Sequence, residues 1–65
     1  MKLKYELVRI PHSIPMRIFV GCQTVFNGKR NTLSSVEFNR QIRPYYDCEV
    51  VATHVNNGNI VMAIH

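Results

Sequence analysis

The chain has little of what most chemical sites are built from: two cysteines, three glycines, four acidic residues and no long apolar run in 65 residues. Cys22 and Cys48 lie far apart and show no Cys-x-x-Cys spacing. That excludes a disulfide-dense scaffold and a cysteine-based zinc motif, and it reads the two thiols as reduced, small core residues. Gly21, Gly28 and Gly58 fall in three separate segments, so no glycine-rich loop is available to cradle a phosphate. Of the acidic residues, Asp47 and Glu49 read as solvent-facing neighbours on one side of a strand, which leaves no carboxylate pair suited to acid–base work. No stretch approaches the roughly 20 apolar residues of a membrane span. Met1 leads directly into KLKYELV rather than into a charged region, apolar block and cleavage site. The expectation is a soluble, cytoplasmic protein. Repeats, low-complexity tracts and linkers are missing too, which makes residues 1–65 a single domain.

What is present is ordinary globular material, 46% hydrophobic and 18% charged. A chain this short supports a thin core, with a stability of about 3 to 5 kcal/mol, and a core too small to shape a pocket of about 300 Å³ or more. Eight basic residues face four acidic ones, for a net charge of +4. The excess lies early: Lys2, Lys4, Arg9, Arg17, Lys29 and Arg30 against Glu6, then Arg40 and Arg43 against Glu37, Asp47 and Glu49. Such an asymmetry suits either a phosphate-facing surface or simple solvation.

Periodicity supplies the elements. KLKYEL alternates, with Leu3, Tyr5 and Leu7 on one side and Lys2, Lys4 and Glu6 on the other, which predicts a strand. Pro11 and Pro15 break the ladder after it. MRIFVGCQTVF predicts one long strand bent or bulged at Gly21 and running into a hairpin turn at Asn27-Gly28, with a short third strand over Lys29 to Leu33. SSVEFNRQIRP predicts the one short helix: Ser34 caps, Glu37 completes a capping box, Phe38 and Ile42 share a face, and Pro44 stops the chain. CEVVATHV and NIVMAIH form a second hairpin around Asn57-Gly58. It sets Val55 opposite Ile60, Thr53 opposite Met62 and Val51 opposite Ile64 on a core face, with Val50, Ala52, His54, Val61, Ala63 and His65 on the reverse.

These elements predict an α+β fold, a small antiparallel sheet of four to five strands in the order ββ(β)αββ with one short helix on a face. With five strands the order matches a small OB-like barrel, the alternative. PHSIP then reads as a stiff corner between two strands. His12 and Ser13 at its tip lack a third group to orient a base, which argues against nucleophilic catalysis. His12, Cys22, Cys48, His54 and His65 show no metal-ligand spacing, so no metal or other cofactor is expected. Tyr45 and Tyr46 project to opposite sides, one sealing the core beneath the helix.

Two functions fit. The first is a non-enzymatic protein-binding module, for a larger partner or a second copy, of the accessory or inhibitory type that compact phage-like genomes encode at this size. Its contact candidates are His12, Ile14, Phe19, Tyr45, Tyr46, Val61 and Ala63. The second is a nucleic-acid-binding domain in which Lys2, Lys4, Arg9, Arg17, Lys29 and Arg30 meet phosphates, with Phe19 or Tyr5 as a stacking platform.

Overall fold

The computed structural model describes all residues from Met1 to His65. Its elements are helix α1 (Leu3–Val8), strands β1 (Met16–Val20) and β2 (Gln23–Gly28), a 3-10 turn (Arg30–Thr32), helix α2 (Ser35–Gln41), a second 3-10 turn (Arg43–Tyr45), and strands β3 (Val50–Asn56) and β4 (Asn59–Ile64). The four strands form one open sheet in the order β2-β1-β4-β3, with β1 and β4 parallel at its centre and each flanked by an antiparallel neighbour. The class is α+β as expected, but the sheet is mixed rather than antiparallel and it does not close into a barrel. The expected ββαββ order is kept, but helix α1 precedes it, a 3-10 turn stands where the optional third strand was expected, and the first two strands are Met16–Val20 and Gln23–Gly28.

The first segment is the main correction. Leu3 and Leu7 satisfy an alternating pattern and also the i, i+4 spacing of one helix face. They are buried, whereas Tyr5 between them is 55% exposed rather than inward-facing. What selects the helix lies far along the chain. The Leu3 and Lys4 N–H groups, which a helix start leaves without internal partners, donate to the carbonyls of Cys48 at 2.9 Å and Tyr46 at 3.1 Å.

Gly21 is a turn, not a bend. Val20 pairs with Gln23 across Gly21-Cys22. Gly21 has φ +57° while Cys22 keeps a negative φ, the pattern of a hairpin with glycine at its first central position. The long strand is therefore two. The extra residue sits at Val25, where the β1–β2 register slips. Asn27-Gly28 makes no turn, because Asn27 stays paired to Arg17 inside β2 and the expected third strand is the 3-10 turn at Arg30–Thr32. Cys22 consequently lies exposed at a hairpin tip rather than in the core, while Cys48 packs against the core. Both are free thiols.

Helix α2 forms where expected. Ser34 Oγ accepts the Glu37 N–H at 3.2 Å, although the Glu37 carboxylate accepts from Gln41 instead of returning to Ser34. A seven-residue helix has little propensity to spare. Ser34→Ala is therefore expected to lower stability by about 1 kcal/mol, read as a shift of the urea midpoint at unchanged slope.

The C-terminal hairpin turns at Asn57 (φ +52°) and Gly58 (φ +79°) as expected. Val55 faces Ile60 and Thr53 faces Met62, but a bulge at Val51 sets Val50, not Val51, opposite Ile64. His65 exchanges both backbone hydrogen bonds with Glu49 rather than facing Val50. One side of the sheet, carrying Met16, Ile18, Phe26, Met62 and Ile64, packs on Leu3, Leu7 and Ile42 to make the core. Val51, Thr53 and Val55, expected in that core, are exposed because β3 is an edge strand beyond the reach of the helices.

Candidate functional site: the uncovered sheet face

Both helices lie on one side of the sheet, so the other side has no cover. Alternation and register assign its residues. Arg17 stands between Asn27 and Val61, with His54 beyond Val61. Phe19 stands between Thr24 and Ala63, with Ala52 beyond Ala63. Phe19, Val61 and Ala63 are half-buried by one another and by their strand neighbours, and none of them packs into the core. They form a continuous apolar strip across β1 and β4, rimmed by Arg17, Thr24, Asn27 and His54. Arg17 leans across β2 to donate to Thr24 Oγ1 at 3.3 Å. It separates two shallow concavities, one of about 240 Å³ toward Asn59 and Val61 and one of about 260 Å³ toward Phe19 and Cys22.

Three of the protein-binding candidates, Phe19, Val61 and Ala63, thus meet on one surface. The other four do not join them. His12 and Ile14 lie in the proline-framed loop, which joins α1 to β1 rather than two strands. That loop is held down because the Arg30 guanidinium donates to the Ile10 carbonyl and the Asn31 N–H donates to the His12 carbonyl at 3.2 Å. Tyr45 and Tyr46 are both half-buried against the core rather than divided between core and solvent. The Tyr46 ring meets Phe38 edge-on at 5.9 Å and lies under the Arg43 guanidinium.

The basic residues do not gather. Lys2 and Lys4 converge on Asp47 at 3.7 and 3.2 Å, Arg9 reaches Glu6 at 3.8 Å, and Arg30 is buried in the helix layer. Only Arg17 stands on the uncovered sheet face, and Lys29 is exposed without an ion pair. The hydrogen bond from Lys4, its charge and that of Lys2 hold the Asp47 carboxyl below the usual carboxylate range. A carboxyl whose folded value is depressed adds stability above its unfolded value, near pH 4, and loses it as pH falls further. Asp47→Asn is therefore expected to flatten the fall in urea midpoint below about pH 4 and leave it little changed at pH 7, since exposed pairs contribute weakly.

Arg30 was invisible as anything but a surface cation in sequence. It is 4% exposed, forms no ion pair, and leaves Nε buried without a hydrogen-bond partner. Burial pushes its pKa down, an effect the nearby Tyr46 opposes. An open cleft of about 410 Å³ lies over it, larger than the sequence led us to expect of so thin a core. No group of three or more His, Cys, Asp or Glu side chains is placed to hold a metal ion, and no helix is long and apolar enough to cross a membrane. No protein-family model, curated protein or solved structure matches the chain, so its function rests on these residues alone.

Proposed function

We propose that this chain is a small non-enzymatic protein-binding module that docks a larger partner across the uncovered face of its sheet. One observation carries the reading: Phe19, Val61 and Ala63 form an apolar strip on the two central strands with no element of the chain over it. An aromatic anchor on a rigid sheet, ringed by Arg, Thr, Asn and His, has the make-up of an interface core and rim. The strip continues to β3, whose outer edge is free from Val51 to Asn56 and carries no lysine, proline or acidic residue to discourage a partner strand. The free thiols Cys22 and Cys48 suit a reducing, cytoplasmic setting.

A nucleic-acid surface is the weaker reading. Phosphate affinity scales with the number of cations that act together, and here one stands beside Phe19 while the others are paired, scattered or buried. The test is affinity capture from a lysate of the source cells with immobilised wild type, Ala63→Arg and Val36→Arg, the last placed on the exposed side of α2. A protein retained by wild type and Val36→Arg but lost by Ala63→Arg supports the reading. Equal retention on all three overturns it, as does salt-sensitive binding of generic RNA or DNA that Arg17→Ala abolishes while no protein is captured.

A further inference from the structure

The cleft over Arg30 lies on the helix side of the molecule, away from the proposed docking face, between the proline-framed loop and the start of α2. Arg30 is the most unusual residue in the fold. It is an almost fully buried cation with no carboxylate within ion-pair distance, a single hydrogen bond to the Ile10 carbonyl, and an orphaned Nε. A buried guanidinium normally lies against a carboxylate or phosphate in the bidentate geometry it is shaped for. An apolar side chain of similar length would fill the same space without stripping water from a charge.

The cleft wall has no carboxylate, and the polar groups it presents can each donate: the His12 imidazole, the hydroxyls of Ser34 and Ser35, and the Asn39 amide, whose Oδ1 already accepts from the Arg43 guanidinium at 3.4 Å. Ser34 Oγ already accepts the Glu37 N–H, which leaves its own proton free to donate. Leu33 and Phe38 supply an apolar wall. A volume of about 410 Å³ exceeds what a bare oxyanion fills and falls in the range of small-molecule sites. Several donors, one fixed positive charge and an apolar wall together call for an anion with more than one oxygen and an organic substituent.

We infer that this cleft binds a small phosphorylated molecule, its phosphoryl oxygens facing Arg30 and the Ser34 and Ser35 hydroxyls and its organic part against Leu33 and Phe38.

The experiment is a nuclear magnetic resonance titration of the full chain, at constant ionic strength, with inorganic phosphate and with phenyl phosphate, and with chloride as the control. The expected result is a saturable shift centred on the Arg30 Nε–H and the Ser34 and Ser35 amides, with phenyl phosphate binding about tenfold more tightly because its ring gains the apolar wall. Arg30→Met removes the bond to the Ile10 carbonyl together with the charge; it should keep a dispersed, folded spectrum and lose the saturable response. Should Arg30→Met not fold, Arg30→Lys keeps the charge without the planar fork and is expected to weaken both probes about tenfold. Shifts spread over the exposed lysines and arginines, a response that survives Arg30→Met or Arg30→Lys unchanged, or equal affinity for the two probes would each overturn the assignment.

Discussion

Ile18→Ala is expected to leave much of the chain unfolded at 25 °C without denaturant. Ile18 has no exposed surface, sits in the middle of a central strand, and is registered between Phe26 on one side and Met62 on the other, both of them core residues. Truncating a buried isoleucine to alanine costs about 2 to 5 kcal/mol, the methylenes lost plus the cavity left behind. A domain this small has only about 3 to 5 kcal/mol to lose. Nine of 65 residues are buried, so no second core exists to hold the sheet once this one is breached. Far-ultraviolet circular dichroism and a urea titration read the effect directly. Val8→Ala, on the 84% exposed side of α1, serves as the control and should change stability by less than about 0.5 kcal/mol. An Ile18→Ala protein within about 1 kcal/mol of wild type would mean that the core lies elsewhere.

The second large effect is on binding. Ala63→Arg places a long cation at the centre of the uncovered strip, directly beside Phe19 in the β1–β4 register. The new side chain projects away from the core, so the fold should persist with its urea midpoint close to that of wild type. The partner's apolar surface, by contrast, would meet a charge that the complex must desolvate without a counter-ion. Affinity should fall by at least about 100-fold, the loss typical of disrupting an interface centre. Phe19→Ala should act in the same direction through lost contact area, and its effect should appear mainly as faster dissociation. A folded Ala63→Arg protein that still binds its partner at wild-type strength would remove the sheet face from the account.

How far the sequence disclosed these features depended on whether the deciding interaction was local. The second hairpin could be read because Asn57-Gly58 tolerates two positive φ angles and the flanking residues alternate, and α2 because Ser34, Phe38 and Ile42 stand at helical spacing within one segment. The segment from Leu3 to Val8 was ambiguous, since Leu3 and Leu7 match both periods. The carbonyls of Tyr46 and Cys48 that settle it are more than half the chain away. Two glycine turns competed near the middle, and the stronger local signal, Asn27-Gly28, gave way to Gly21-Cys22 because only the latter lets Phe26 reach the core opposite Ile18.

The same distinction applies to the sites. Alternation alone put Val61 and Ala63 on one side of β4 and Phe19 on one side of β1. That the two sides coincide follows from the parallel pairing of β1 with β4, which no local pattern encodes. Val55 was assigned to the correct register but the wrong depth, because alternation reports a side of the sheet and not whether a helix reaches that far toward its edge, and Val51 lost its register to a bulge that alternation does not reveal. The charge of Arg30 placed it among the phosphate-facing candidates, but its burial carried no sequence signal. An arginine after a glycine and a lysine reads as turn surface, and only the packing of the proline-framed loop above it makes it a buried cation.

On the function proposed above, the partner seats on the sheet face opposite the helices. The most direct measurement is methyl cross-saturation in the captured complex, in which magnetisation passes from the partner to those methyl groups of this chain that it touches. Strong transfer to Ala52, Val61 and Ala63 with none to Val8 and Val36 on the helix layer is the predicted result. Transfer to Val8 and Val36 with Ala63 and Val61 silent would contradict the account and place the partner on the other side of the molecule.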